Sequence, residues 1–448
     1  MKPLRLFFAS CLFIAILILN IQPALAFCGF YVTKADSSLY NQASQVIIAR
    51  DGQRTVLTMS NDYQGEVKDF AMVIPVPVIL KAEQVHVGEA KILSRLDAFS
   101  APRLVEYFDD DPCQVRMYED RAILESAPAP QAASQGARKN SLGVTVEEQF
   151  TIGEYDIVIL SAKESDGLET WLIQNGYKIP AGAKELLQPY IKQNLKFFVA
   201  KVNLEEYKER EYQQLRPIAI AYESPKFMLP IRLGMANARG DQDLIVYLLS
   251  PQGQIELTNY RTVNIPSNTN VPEFVQEEFK DFYTSMFQKF YERENKKVAF
   301  LEYAWDMASC DPCSAEPLNR EELKQAGVFW LDNASSSIPN PRMMPTSNVF
   351  ITRLHVRYNR RNFPEDLRFQ ATGNRQLFQG RYVIRHPFRG EISCQTDYPE
   401  EVRNRQEETA KNLAHLTGWN LEEIMSKIDF VEYNVNAEEI PWWRDLWN

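Results

Sequence analysis

The chain predicts an α+β protein with a β-rich N-terminal part and a mixed α+β C-terminal part. Three patterns lead there: two β-prone runs joined by Asp51-Gly52, helical patterns grouped ahead of a series of strands in the middle, and aromatic residues at helical spacing from Phe279 to Phe290. With 448 residues, 45% apolar and 12% aromatic side chains, the chain can build two or three core-forming units. That size excludes a small disulfide knot, and the aromatic content excludes wholesale disorder.

The first residues read as an export signal. Lys2 and Arg5 precede an apolar run from Leu6 to Ile21, Pro23 breaks it, and Ala24-Leu25-Ala26 offers the small residues that a signal peptidase reads, so residues 1–26 are expected to be removed before Phe27. Ser10 and Asn20 interrupt the run, which falls short of the roughly 20 apolar residues of a membrane span. Bulky Phe27 ahead of Cys28 is unsuited to lipidation, and no later stretch is long and apolar enough to cross a bilayer. Membrane contact is therefore expected only through an uncleaved signal segment, and the chain is expected in the periplasm or outside the cell. Removing Lys2 and Arg5 leaves 49 − 2 = 47 basic against 59 acidic residues, a net charge of −12, which argues against nucleic acid as a partner.

Residues 27–124 form the expected β-rich part. Gln45 to Arg50 and Gln53 to Met59 read as a hairpin with a type I′ turn at Asp51-Gly52, and Phe70 to Val78 as a strand placed at a sheet edge by Pro75 and Pro77. Residues 125–140, rich in Ala, Pro, Gln, Ser and Gly, read as a linker or exposed loop. Over 141–263 a strand at Tyr155 to Ser161 and two helices precede strands at Lys196 to Asn203, Pro217 to Tyr222, Phe227 to Leu233 and Leu244 to Leu249.

Residues 264–448 form the C-terminal α+β part. Pro272 opens what reads as the longest helix, reaching about Glu294, with Phe279, Phe282, Met286, Phe287 and Phe290 as its core stripe. A strand at Val298 to Trp305 follows, then a short helix capped by Asn319 and Glu322 and ended by Gly327. The last helix starts after Asp397-Tyr398-Pro399 and ends before Gly418, and Trp442, Trp443 and Trp447 are expected to pack the tail onto its own domain.

Five cysteines survive signal removal: Cys28, Cys113, Cys310, Cys313 and Cys394. In an oxidising compartment they permit two disulfides and one free thiol, in arrangements that spacing does not resolve. Cys310-Asp311-Pro312-Cys313 suits a structural short-loop disulfide, a redox centre or half a zinc site. The helix that should follow a redox pair begins only near Asn319, and Asp311 opposes a thiolate, so the structural reading leads and neither metal nor cofactor is expected.

Charge asymmetry is the second signal. Residues 342–389 hold ten arginines and no lysine against Glu365 and Asp366. Within this block Phe350, Leu354, Val356 and Tyr358 fall on one face of a strand, and Arg353, His355 and Arg357 on the other. Arginine's planar fork suits carboxylate, phosphate or sulfate, which makes Arg353, His355, Arg357, Arg385 and His386 the candidate anion-binding residues. Pairing of these arginines with the acidic remainder of the same chain is the reading that the overall charge balance favours. The arginines beside His355 and His386 are expected to depress the imidazole pKa, leaving a neutral base. No G-x-S-x-G, H-E-x-x-H, P-loop or G-x-G-x-x-G pattern accompanies them, so catalytic residues stay unassigned.

Several segments together are distinctive: Cys28-Gly29-Phe30, Phe70 to Pro77, Trp305-Asp306 leading into Cys310-Asp311-Pro312-Cys313, Arg353-Leu354-His355-Val356-Arg357-Tyr358, Arg381 to Pro387 and Leu413 to Trp419. In these the chain resembles the bacterial exported family catalogued as domain of unknown function 2330. The resemblance implies a signal peptide and an extracytoplasmic location, and supplies no catalytic residues. The leading expectation is a non-enzymatic cell-envelope binding or structural module contacting an anionic envelope ligand or a protein partner. The alternative is an envelope enzyme, either a thiol-disulfide oxidoreductase or a hydrolase using His355 or His386.

Overall fold

A computed structural model of the protein describes residues 30–33, 40–41, 44–60, 63–64, 70–113, 144–175, 182–203, 215–236, 240–309, 315–331, 348–394 and 396–433. The signal segment 1–26, Cys28, the linker 125–140, Cys310, Cys313 and the three C-terminal tryptophans lie outside these residues. The strands that matter here are β1 (Phe30–Thr33), β2 (Ser44–Asp51), β3 (Arg54–Met59), β4 (Phe70–Val76), β5 (Val85–Val87), β6 (Arg103–Phe108), β7 (Val144–Ile152) and β8 (Tyr155–Ala162). They continue with β9 (Lys196–Val202), β10 (Ile218–Glu223), β11 (Gln242–Ser250), β12 (Arg261–Asn264), β13 (Thr269–Asn270), β14 (Val298–Asp306), β15 (Phe350–Tyr358) and β16 (Arg381–His386). The α-helices among the described residues are α1 (Ala90–Ser100), α2 (Ser165–Gln174), α3 (Ala183–Lys192), α4 (Phe279–Arg293), α5 (Arg320–Gln325), α6 (Tyr398–Thr417) and α7 (Leu421–Lys427).

The fold is α+β, as its strand series predicts. A large mixed sheet runs β12-β14-β15-β11-β2-β3-β10-β5, with β12/β14 and β11/β2 as its parallel pairs. A second, antiparallel sheet runs β1-β4-β9-β8-β7, and a small parallel sheet runs β13-β16-β6. The two large sheets pack face to face. Val46, Ile48, Leu244 and Val246 of one meet Met72, Ile74, Ile157 and Phe198 of the other in a shared core. Because strand residues alternate sides, Ile47, Ala49 and Tyr247 point the other way, onto α1 and the segment from Leu318 to Leu331. Likewise Val73, Phe197 and Val199 face α2 and α3. Strands covered on both faces carry apolar residues on both sides, as β2 does over Val46 to Ala49 and β11 over Leu244 to Leu249, whereas the second face of β15 holds Arg353, His355 and Arg357. A fourth core joins α4, α6 and α7 to β16 through Phe282, Phe287, Tyr382 and Leu413.

Four local expectations change, the first being the strand expected at Phe227 to Leu233, which is only Met228–Leu229 and gives way to a 3₁₀ turn at Leu233–Ala236. In the β2–β3 hairpin Asp51 pairs with Arg54, so Gly52-Gln53 form the turn, and of the two only Gly52 has a positive φ, at 57°. That is the φ pattern of a II′ turn, which asks for glycine only at its first central position. The strand holding Pro75 lies inside its sheet, between β1 and β9. Its ladder with β1 stops at Val73, so Pro75 removes no donor from that ladder. The segment after Pro272 forms a 3₁₀ turn, Glu273–Gln276, and only then the 15-residue α4, shorter than the 20-residue α6. The phenylalanine stripe is nevertheless a core stripe, with Phe282, Met286 and Phe287 fully buried.

Candidate functional site

Strand β15 aims its side chains as its alternation predicts. Phe350, Leu354, Val356 and Tyr358 enter the core between the sheets, and Arg353, His355 and Arg357 project on the opposite face. That face is covered. Arg353 and His355 are only 5% and 8% exposed, and Phe287 of α4 stacks on the His355 ring with centroids 4.0 Å apart.

Three carboxylates alternate with the three cations beneath this cover. Arg353 donates from Nη1 to Asp97 Oδ1 at 2.7 Å and from Nε to Glu302 Oε2 at 2.6 Å. His355 contacts Glu302 Oε1 through Nδ1 at 2.8 Å and Asp243 Oδ1 through Nε2 at 3.1 Å. Arg357 grips Asp243 bidentately, at 2.7 and 2.8 Å, and donates to Gln288 of α4. Tyr283, also on α4, donates to Glu302. The order Asp97, Arg353, Glu302, His355, Asp243, Arg357 thus runs from α1 across three adjacent strands to α4.

The register explains why Glu302 can serve two partners. Leu301 pairs with Leu354 and Tyr303 with Arg353, so Glu302 is the extra residue of a β-bulge. A bulge re-aims a side chain that a regular ladder would place elsewhere, and here the carboxylate lies between Arg353 and His355.

These contacts settle the charges. Burial would raise the Glu302 carboxyl, but Arg353 and His355 outweigh it and hold the pKa at about 2. Burial likewise opposes ionisation of Asp243, and hydrogen bonds and charge from His355 and Arg357 lower it to about 2. For His355 burial favours the neutral ring, yet Glu302 and Asp243 prevail and raise its pKa. This reverses the expected depression: carboxylates, rather than the neighbouring guanidinia, contact both ring nitrogens. An imidazole held between two carboxylates under a helix is arranged to fasten α4 to the sheet.

Arg385 and His386 lie elsewhere, at the end of β16 beside β6. The His386 ring stacks on Phe108 with centroids 4.4 Å apart and contacts Glu106 at 2.8 Å and Glu273 at 3.5 Å. Next to it opens a cleft of about 130 Å³, bordered by the Asn270 to Phe274 segment, Arg385, α6 residues Arg405, Gln406 and Thr409, and Lys427 to Asp429. Arg405 is matched by Asp109 and Lys427 by Glu278, while Asp429 and Glu273 share Arg389 as their partner. Arg385 is exposed and lies over the Tyr107 ring at 5.3 Å, and it has no carboxylate partner among the described residues.

A disulfide between Cys113 and Cys394, 281 residues apart, ties the chain after β6 to the chain before α6. The same junction is held by Asp109, which accepts hydrogen bonds from Tyr398 and Arg405. One wall of the cleft is therefore anchored covalently.

Sequence reasoning selected the cations and missed Asp97, Asp243 and Glu302. A signal was present: Glu302 is the one charged residue between Val298 and Trp305, and a lone carboxylate in an apolar strand needs a buried partner. Among the described residues no group of three or more His, Cys, Asp or Glu could hold a metal ion, and no helix is long and apolar enough to cross a membrane.

The model of a bacterial family, described as an uncharacterized protein conserved in bacteria (DUF2330), matches residues 22–370. The Arg353 to Tyr358 segment falls within that match, while Arg385, Arg405 and Lys427 of the cleft lie beyond it. No curated protein and no solved structure matches the chain. The match includes the segments from Cys28 to Tyr358 that suggested it, while Arg381 to Pro387 and Leu413 to Trp419 fall outside, and its extent makes the chain a member of the DUF2330 family.

Proposed function

We propose that the protein is an exported, non-enzymatic binding module of the cell envelope that receives an anionic group in the cleft beside Arg385. The observation that carries this reading is the exposed Arg385 guanidinium, which has no carboxylate partner among the described residues, beside Arg405 and Lys427, which are each ion-paired. Its planar fork suits a carboxylate, phosphate or sulfate, and Gln406 and Asn270 stand at the same cleft. The Thr409 hydroxyl donates to the Gln406 carbonyl within its helix, so its proton is not directed at a general base. Export rests on the pattern of residues 1–26.

The test is calorimetry of the mature protein with inorganic phosphate and with sulfate at low salt. Arg385→Glu should weaken binding at least about tenfold, the scale of one charge-assisted hydrogen bond. Equal binding by the wild type and the variant would sink the cleft as the anion site. N-terminal sequencing of the protein recovered from the envelope fraction should begin at Phe27, and an intact Met1 would remove the cleaved signal.

A further inference from the structure

A second groove, of about 480 Å³, borders the same two elements as the Arg385 cleft. Helix α6 presents Gln406 and Thr409 to the cleft but Asn412 and His415 to the groove, while the neighbours Asn270 and Thr269 of β13 divide in the same way. The Asn412 amide, 3.5 Å from the Asn270 carbonyl oxygen, marks where the two meet. Gln406 and His415 are nine residues apart, about 13 Å along a helix that rises about 1.5 Å per residue.

The groove repeats the chemistry of the cleft. Arg293 is exposed, lies 5.4 Å over the Phe290 ring, and has no carboxylate partner among the described residues. The acid beside it, Glu294, is already paired with Arg261 at 3.1 Å. Asn264, Thr269 and Asn412 supply amides and a hydroxyl at the groove. Two guanidinia without a carboxylate partner among the described residues, separated by neutral polar groups, match a ligand with acidic groups at intervals and hydroxyls between them.

We propose that cleft and groove are two ends of one binding seam for an acidic oligosaccharide, with Arg385 and Arg293 each taking one acidic group. This proposal rests on the reading of the Arg385 cleft given above. Linking two weak contacts in one ligand raises affinity without any new contact, which supplies the experimental signature.

The experiment is calorimetry of the mature protein with tetragalacturonate, galacturonate, neutral maltotetraose and inorganic phosphate. Tetragalacturonate should bind at least about tenfold more tightly than the monomer, and maltotetraose should not bind. Arg293→Glu should bring the tetramer down to monomer affinity while phosphate binding is unchanged; Arg385→Glu should weaken both. Both side chains are exposed, and a thermal melt of each variant verifies its fold. If Arg293→Glu leaves the tetramer unaffected, or the tetramer binds no better than the monomer or maltotetraose, the seam is overturned and the phosphate result alone decides the cleft. Should Arg385→Glu change neither ligand, the cleft reading falls and takes the seam with it.

Discussion

Glu302 reaches His355 at 2.8 Å because it is the bulged residue of its strand, and the same carboxylate holds Arg353 at 2.6 Å. One backbone irregularity therefore sets a single carboxylate against two buried basic side chains. Replacing Glu302 with Gln keeps the shape and removes the charge, leaving Arg353 and His355 short of an anion. Chemical denaturation should show a loss of about 3–5 kcal/mol, the cost of breaking a buried pair from one side. A loss below about 1 kcal/mol would mean that the network does not anchor α4.

The same network fixes a pH response. His355 has a raised pKa in the folded protein, so its stabilisation is complete below the unfolded value of about 6.5 and is lost as pH rises through the folded value. Urea midpoints should fall across that alkaline window in the wild type, and the fall should flatten in His355→Gln. An identical slope in the variant would assign the effect to other groups.

In acid the sign is opposite. Asp243 and Glu302 have pKa values lowered to about 2, so their contribution is present above about pH 4 and is lost as pH falls towards 2. Asp243→Asn should reduce this acid-side loss, read as a smaller drop in melting temperature between pH 5 and about pH 2.5. An undiminished drop would show that Asp243 is not among the linked groups.

The bridge across 281 residues should be seen directly in non-reducing peptide maps, as a peptide pair joining Cys113 to Cys394. Cys394→Ser should lower stability by about 2–5 kcal/mol, because the closed loop restricts the unfolded chain. Maps that pair Cys113 with any other cysteine would contradict the fold at this junction.

Gly327 ends α5 at φ +90°, and a Cβ there would stand 2.6 Å from Val56 Cγ1 of the central sheet. Gly327→Ala should therefore cost about 1–3 kcal/mol through strain and overpacking, measured by thermal or urea melts. A neutral result would require the α5 terminus to move away from β3.

By itself the sequence determined what is local. The β2–β3 hairpin, the capping box of Asn319 and Glu322, the stop of α6 at Gly418 and the two faces of β15 all follow from side-chain period and turn chemistry, which act over a few residues. Membership of the family was legible for a related reason, since short segments carry it. What the opposite face of β15 touches was decided only by tertiary structure. Asp97, Asp243 and Glu302 come from three other elements, up to 256 residues away, and reach the arginines through sheet order and a single bulge that no local pattern announces. Arg353 and Arg385 look alike in sequence, as arginines of one basic block. Packing gives the first a buried carboxylate, Glu302, and a half-exposed one, Asp97, and leaves the second at an open cleft, because charge compensation depends on which elements meet rather than on composition.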